Sequence, residues 1–241
     1  VPVYAYSTQE NLIITAKISS RFVLLMVIAW SCCVATAVIA FAWYDVRSGS
    51  VQAAPTIIPY TTRIITRSEE GTSSERAVVA MFVHPRCPCS RASLTEFANL
   101  ARNLSHQAEF RQIQFRIIFF KPASQSLAWV RRDNLVERAS ALASAQKNIS
   151  VSIDENGTEA TRFNAETSGF VVAYDAHGRL LFSGGITESR GHEGANAGEA
   201  TLENALKQVN NTSAIPVQAA YAPVFGCAIH SNPTNAVSAT E

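Results

Sequence analysis

The stretch Ala77-Val78-Val79-Ala80-Met81-Phe82-Val83-His84-Pro85-Arg86-Cys87-Pro88-Cys89-Ser90 decides the fold. Its first seven residues form a continuous apolar run, the pattern of a strand buried on both faces of a sheet. A polar loop of His, Pro and Arg follows and carries two cysteines one residue apart. Beyond it, Ala92, Leu94, Phe97, Ala98, Ala101 and Leu104 recur at helical spacing, so the sequence predicts a helix from Ser90 to Leu104 with Ser90 or Ser93 as its cap. Both thiols then stand in a strand-to-helix loop, where unpaired N–H groups and the positive end of the helix dipole favour thiolate over thiol.

Working outward, Ile113 to Phe120 (IQFRIIFF) reads as a second strand. The order strand, helix, strand implies parallel pairing through a right-handed crossover. Leu127 to Lys147 carries another helical pattern, Ile149 to Ile153 is a short alternating run, and Thr158 to Phe163 suits a turn or two of helix. Phe170 to Tyr174 and Arg179 to Phe182 flank Asp175-Ala176-His177-Gly178, a turn that favours an antiparallel hairpin. Ala197 to Val209 supplies a last amphipathic helix. The result is an α/β class chain with a mixed central sheet and helices on both faces. Its cysteine loop lies at the carboxyl ends of the parallel strands, where such sheets present their sites.

Before this domain, Phe22 to Tyr44 contains no charged residue and is long enough to cross the roughly 30 Å hydrocarbon core as one helix. A cleaved signal is the competing reading, with Ala40-Phe41-Ala42 as a cleavage site, but the apolar run exceeds the roughly 7–15 residues usual there. Lys17 and Arg21 precede the run, and Trp43 and Tyr44 mark an interface, which leans to a cytoplasmic N-terminus and a soluble domain on the extracytoplasmic, periplasmic side. The expected organisation is a cytoplasmic segment 1–21, a single transmembrane anchor 22–44, a linker 45–76, the globular domain 77–230 and a tail 231–241. A net charge of +1, with 20 scattered Lys and Arg, offers no field for nucleic acid. Five cysteines is an odd count, and Cys32 and Cys33 fall inside the apolar run, so the pattern is not a disulfide scaffold.

Two chemistries suit Cys87 and Cys89. In the first they cycle between dithiol and disulfide with a protein thiol, disulfide or membrane redox partner and need no cofactor. In the second they join His84 and Cys227 as soft ligands for copper or zinc. Arg86 adds positive charge beside the thiols, and the glycine-rich stretch 184–198 brings Arg190 and His192, which could fold back as an anion contact or proton donor. Cys227, close to His230, is either a third redox or resolving thiol or a buried small residue near the C-terminus.

Five segments, Phe82 to Ser90, Thr167-Ser168-Gly169, Tyr174 to Thr187, Ser189-Arg190-Gly191-His192 and Val224-Phe225-Gly226-Cys227, together resemble the thioredoxin-like superfamily. More narrowly, they resemble the bacterial RedB-type thioredoxin-like proteins, over residues 77–230. The resemblance implies a thioredoxin-like fold with redox-active Cys87 and Cys89 at the start of its first helix, and a thiol–disulfide oxidoreductase or electron-transfer activity. The sequence departs from the general thioredoxin pattern at three places. One residue, Pro88, separates the cysteines where two are usual; Arg86 stands where a Trp precedes the first; and Ser168-Gly169 occupies the place of the cis-proline before the third core strand. The last departure favours metal capture at the thiols.

Overall fold

The computed structural model describes residues 20–58, 65–67, 73–107, 110, 112–207 and 218–230. The chain divides into two compact units between Tyr44 and Asp45. The first is the helix α1, Ser20–Val46, whose apolar side chains are exposed all round. Its 27 residues, with an 18-residue stretch of mean hydropathy 2.6, are sufficient to cross a membrane by length and composition.

The second unit is built on a six-stranded sheet. Its elements in chain order are β1 (Ile65–Arg67), β2 (Ser73–Glu75), β3 (Val78–Val83), α2 (Ser90–Ser105), β4 (Gln114–Lys121), α3 (Leu127–Val130), α4 (Leu135–Ala145), β5 (Ile149–Glu155), α5 (Thr158–Arg162), β6 (Phe170–Tyr174), β7 (Leu180–Gly184), α6 (Ala197–Leu206) and β8 (Ala220–Tyr221). β1 and β2 form a separate antiparallel pair, and the sheet runs β5-β4-β3-β6-β7-β8. β5, β4 and β3 are mutually parallel, while β6 runs antiparallel to both β3 and β7. Parallel strands joined through helices, followed by an antiparallel hairpin and a closing helix, make the fold thioredoxin-like.

Every residue of β3 is buried because the strand is central and its alternating side chains enter two cores. Val79, Met81 and Val83 pack beneath α2, α4 and α6 with Leu94, Phe97, Ala139, Leu202 and Leu206. Val78, Ala80 and Phe82 face the opposite layer, where α5 contributes Ala160 and irregular chain contributes Ala54, Ile58, Val224 and Ile229.

Three local features differ from the sequence expectation. The helical pattern at 127–147 is broken into α3 and α4 by Asn134, which adopts a left-handed φ of 56° that asparagine tolerates better than most residues. The run at 149–153 extends to a full strand paired in parallel with β4. The expected last helix is present as α6 to Leu206 with Lys207 at its cap, and positions 208–209 of that expectation lie outside the described residues. Finally, part of the stretch read as a linker lies along the sheet edge. Gly49 N–H donates to the Val224 carbonyl at 2.7 Å, Leu180 N–H to the Thr56 carbonyl at 2.9 Å, and Ala54 and Ile58 are buried. The apolar side chains of 54 and 58 complete the second core, which among the described residues no long helix covers.

Candidate active site

β3 delivers the chain to the site. After Val83, two tight turns close, with Cys87 N–H donating to the His84 carbonyl and Ser90 N–H to the Cys87 carbonyl, both at 3.1 Å. They bring Cys89 to the N-cap position of α2, where it has helical backbone angles and makes no side-chain cap bond. Ser90 and Ser93, the expected caps, are instead buried. Ser90 turns inward because its hydroxyl has better partners there, the Ser168 hydroxyl at 2.7 Å and the His84 carbonyl at 3.4 Å.

Ser168 faces the loop from the turn before β6. Its hydroxyl accepts the His84 N–H at 2.8 Å, so one buried side chain ties the start of the cysteine loop to the start of its helix. Gly169 follows with φ of 90°, and a Cβ there would press on the Ser93 hydroxyl, so the position requires glycine. No cis peptide occurs among the described residues. Ser168→Ala is expected to cost about 1–3 kcal/mol, because it leaves the His84 N–H and the Ser90 hydroxyl short of a partner. Denaturant unfolding checks this, and an unchanged midpoint would remove Ser168 from the scaffold of the site.

The third cysteine arrives from the far end of the domain. Ser168 N–H donates to the Cys227 carbonyl and Ile229 N–H to the Glu166 carbonyl, each at 2.8 Å, and Thr167 and Ala228 form an antiparallel bridge. Gly226 permits this approach, since a Cβ there would collide with the Ser168 carbonyl. The pairing puts Cys227 Sγ 2.9 Å from Cys87 Sγ, and the sulfurs of Cys87, Cys89 and Cys227 all lie within 4.8 Å of one another. All three are free thiols; Cys87 is buried, and the other two are half-buried.

Within the cluster, Cys87 is the thiol whose surroundings favour ionisation. Its pKa falls from 9.0 to about 5, chiefly because the Cys227 thiol donates a hydrogen bond to it, with further help from the Cys227 and Cys89 backbone and the Ser90 hydroxyl, and against the cost of burial. The same contact holds the Cys227 thiol far above its ordinary range. Cys89 is pushed up by burial and then by the Cys87 charge, while Arg190 pulls both Cys89 and Cys227 downward.

Arg190 is held where it can do this. Its guanidinium donates to the Gly226 carbonyl and, at 3.4 Å, to the Arg47 carbonyl, while its backbone N–H reaches the Asp45 carbonyl at 3.3 Å. The glycine-rich loop that carries it is fastened to α2 by Gly194 N–H donating to the buried Glu96 carboxylate at 2.7 Å. His192 in the same loop is exposed, 3.9 Å from the Glu188 carboxylate.

His84 does not join the sulfur cluster. Its Nδ1 accepts the Arg86 N–H at 3.2 Å, its ring packs on Phe120 and meets the Trp129 edge, and burial lowers its pKa. Arg86 lies over the Trp129 ring at 5.7 Å and 3.8 Å from the Asp133 carboxylate, both exposed enough for solvent to screen the pair. The four-ligand set of His84 with three cysteines therefore reduces to the three sulfurs. Sequence reasoning overlooked two residues of the site. Ser90 was read as a cap when it is a tie, and Trp129, the platform for His84 and Arg86, is one aromatic in a helical pattern with no local signal.

A thioredoxin-like fold that carries a thiolate-centred cluster at the start of its first helix is the class these features define. No protein-family model matches the chain, and no curated protein matches it. Among solved structures it is similar to an uncharacterized conserved protein from Geobacillus kaustophilus, with 18% identity and a TM-score of 0.51 over 77% of this chain and 95% of that one. It is similar to the same degree to a hypothetical protein, SMc02350, from Sinorhizobium meliloti 1021, with 18% identity and a TM-score of 0.50 over 77% and 97% of the two chains. These likenesses are of fold. A secreted Mycobacterium tuberculosis disulfide oxidoreductase is matched at 14% identity and a TM-score of 0.35, over 60% of this chain and 94% of that one.

Proposed function

We propose that this chain is a membrane-anchored thiol–disulfide oxidoreductase of the RedB type, with residues 22–44 as anchor and the domain of 77–230 on the extracytoplasmic side. The observation that carries the reading is the Cys87 thiolate, held near a pKa of about 5 with two further thiols inside 4.8 Å. A stable thiolate beside protonated thiols is the arrangement that attacks a disulfide and then releases the product. The partner is a protein disulfide or a membrane redox protein. Its approach is served by a cavity of about 410 Å³ beside Cys87, lined also by Arg86, Arg91, Arg132 and Asp133. This mainly basic mouth favours a departing thiolate. The charge asymmetry across the anchor, with Lys17 and Arg21 ahead of it, supports the orientation.

The test is dithiothreitol-driven reduction of a disulfide-bonded reporter protein by the full chain in detergent. Turnover above the uncatalysed background is expected, and a rate equal to background would overturn the reading. The mutual distance of the three sulfurs also favours a second reading, a site for one thiophilic ion such as copper(I) or zinc. Stoichiometric metal that survives dialysis of anaerobically purified protein and blocks reporter reduction would replace the first reading by the second.

A further inference from the structure

We propose that Cys227, and not Cys89, is the thiol that resolves the mixed disulfide at Cys87, so that oxidation ties the segment 224–230 to the first-helix loop. The inference rests on the redox reading above. Its basis is the way residues 224–230 are laid against the site, as a peptide docked on the backbone of Glu166 to Ser168. Two backbone hydrogen bonds and an antiparallel bridge fix its register. Gly226 allows the close approach and Arg190 holds its carbonyl. Gly49 N–H binds the Val224 carbonyl at the start of the segment, at 2.7 Å, and Gly185 N–H the Pro223 carbonyl just before it, at 3.2 Å. A chain segment held at so many points keeps its thiol in place, and the Sγ–Sγ separation of 2.9 Å leaves only a small movement before a bond forms. Cys89, one residue beyond Pro88, would instead close a small, strained ring in the turn that leads into α2.

The Cys87 thiolate attacks one sulfur of a partner disulfide R–S–S–R′, forming Cys87–S–S–R and expelling R′–S⁻, which takes a proton from solvent. With the Cys87 charge consumed, the largest influence keeping Cys227 protonated is gone, and Arg190 favours its ionised form. Cys227 passes its proton on, attacks the Cys87 sulfur and expels R–S⁻, which that proton neutralises. Two electrons have moved from the protein thiols to the partner, leaving R–SH, R′–SH and a Cys87–Cys227 disulfide. Cys89 remains a thiol beside the new bond, on the half-buried side.

The full chain in detergent is treated with one equivalent of oxidised glutathione at alkaline pH, so that loss of the Cys227 hydrogen bond in a variant does not slow the first step. Trypsin then separates Cys87–Arg91 from the peptide that starts at Gln208 and carries Cys227. The expected product is a cross-link between these two peptides in the wild type and in Cys89→Ser, while Cys227→Ser retains a glutathione adduct at Cys87 at least about tenfold longer. A disulfide inside the Cys87–Arg91 peptide, or an adduct retained in Cys89→Ser but not in Cys227→Ser, would overturn the assignment and leave the redox reading standing. Failure of glutathione to modify or oxidise Cys87 in any variant would overturn both.

Discussion

Cys87→Ser is expected to lower the rate of disulfide reduction by at least about three orders of magnitude, to the uncatalysed level. Serine keeps the size of the side chain but cannot supply a thiolate, and neither neighbour can take over. The Cys87 charge that helps hold the neighbours protonated is absent from this variant, but burial still pushes the thiols of Cys89 and Cys227 up, so at neutral pH they remain protonated and slow. The same argument sets the pH profile of the wild type. A pKa lowered to about 5 means that the thiolate persists throughout the range above that value and is lost as pH falls through it, whereas an ordinary thiol would lose it already near 9.0. The thiolate ultraviolet absorbance of the reduced protein should therefore show one step centred near pH 5 that disappears in Cys87→Ser. Cys227→Ala, which removes the donor, should move this step upward, since the largest cause of the shift is the hydrogen bond that Cys227 donates. A wild-type step that stayed near 9 would mean the sulfur contact does not form in solution.

Phe97→Ala should be the most damaging substitution among those that touch no sulfur. Phe97 is fully buried on the inner face of α2, the helix at whose start the thiols stand, and its ring meets Phe115 of β4 edge-on at 5.5 Å. Removing it deletes buried apolar surface and leaves a cavity between the helix and the sheet, at a cost of about 3–5 kcal/mol. Chemical unfolding of the soluble unit in detergent-free or detergent solution reads this directly. The substitution should also raise the thiolate step, because a helix that settles into the cavity carries the cysteine loop away from Cys227. A stability loss below about 1 kcal/mol would show that the core repacks around the gap.

How far the molecule was legible beforehand depended on how local the deciding interaction was. β3 and α2 follow from a buried run and a helical stripe, both written within thirty residues, and the hairpin follows from Asp175 and Gly178. Asp175 accepts the N–H groups of His177 and Arg179 at 2.9 and 2.8 Å, a bond set that the turn sequence itself encodes. The break at Asn134 was not legible, since an asparagine inside a helical pattern becomes a left-handed hinge only when the flanking helices are drawn to different packing sites. Nor was the packing of residues 49–58, whose apolar positions are sparse and gain meaning only from the gap in the second core that they fill. In the site, the placement of Cys87 and Cys89 in the strand-to-helix loop and of Ser168 just before β6 was readable. The contact between Cys227 and Cys87 depends on a backbone register set by Ser168 and Ile229, which nothing near either cysteine specifies. His84 and His192 were plausible by residue type, yet aromatic packing occupies the one and solvent surrounds the other.

Cys87 and Cys227 are 140 positions apart in the chain. A contact of that span is costly to close and forms only once the elements between have found their places. Synthesis proceeds from the N-terminus, so Cys87 and Cys89 emerge before the residue that makes Cys87 acidic exists. Until the last segment docks, the thiol at 87 is an ordinary one, mostly protonated at neutral pH and slow to react with stray disulfides. Nucleophilicity is thus acquired at the end of maturation, and a nascent or unfolded chain is shielded from premature oxidation by the same distance that delays its assembly.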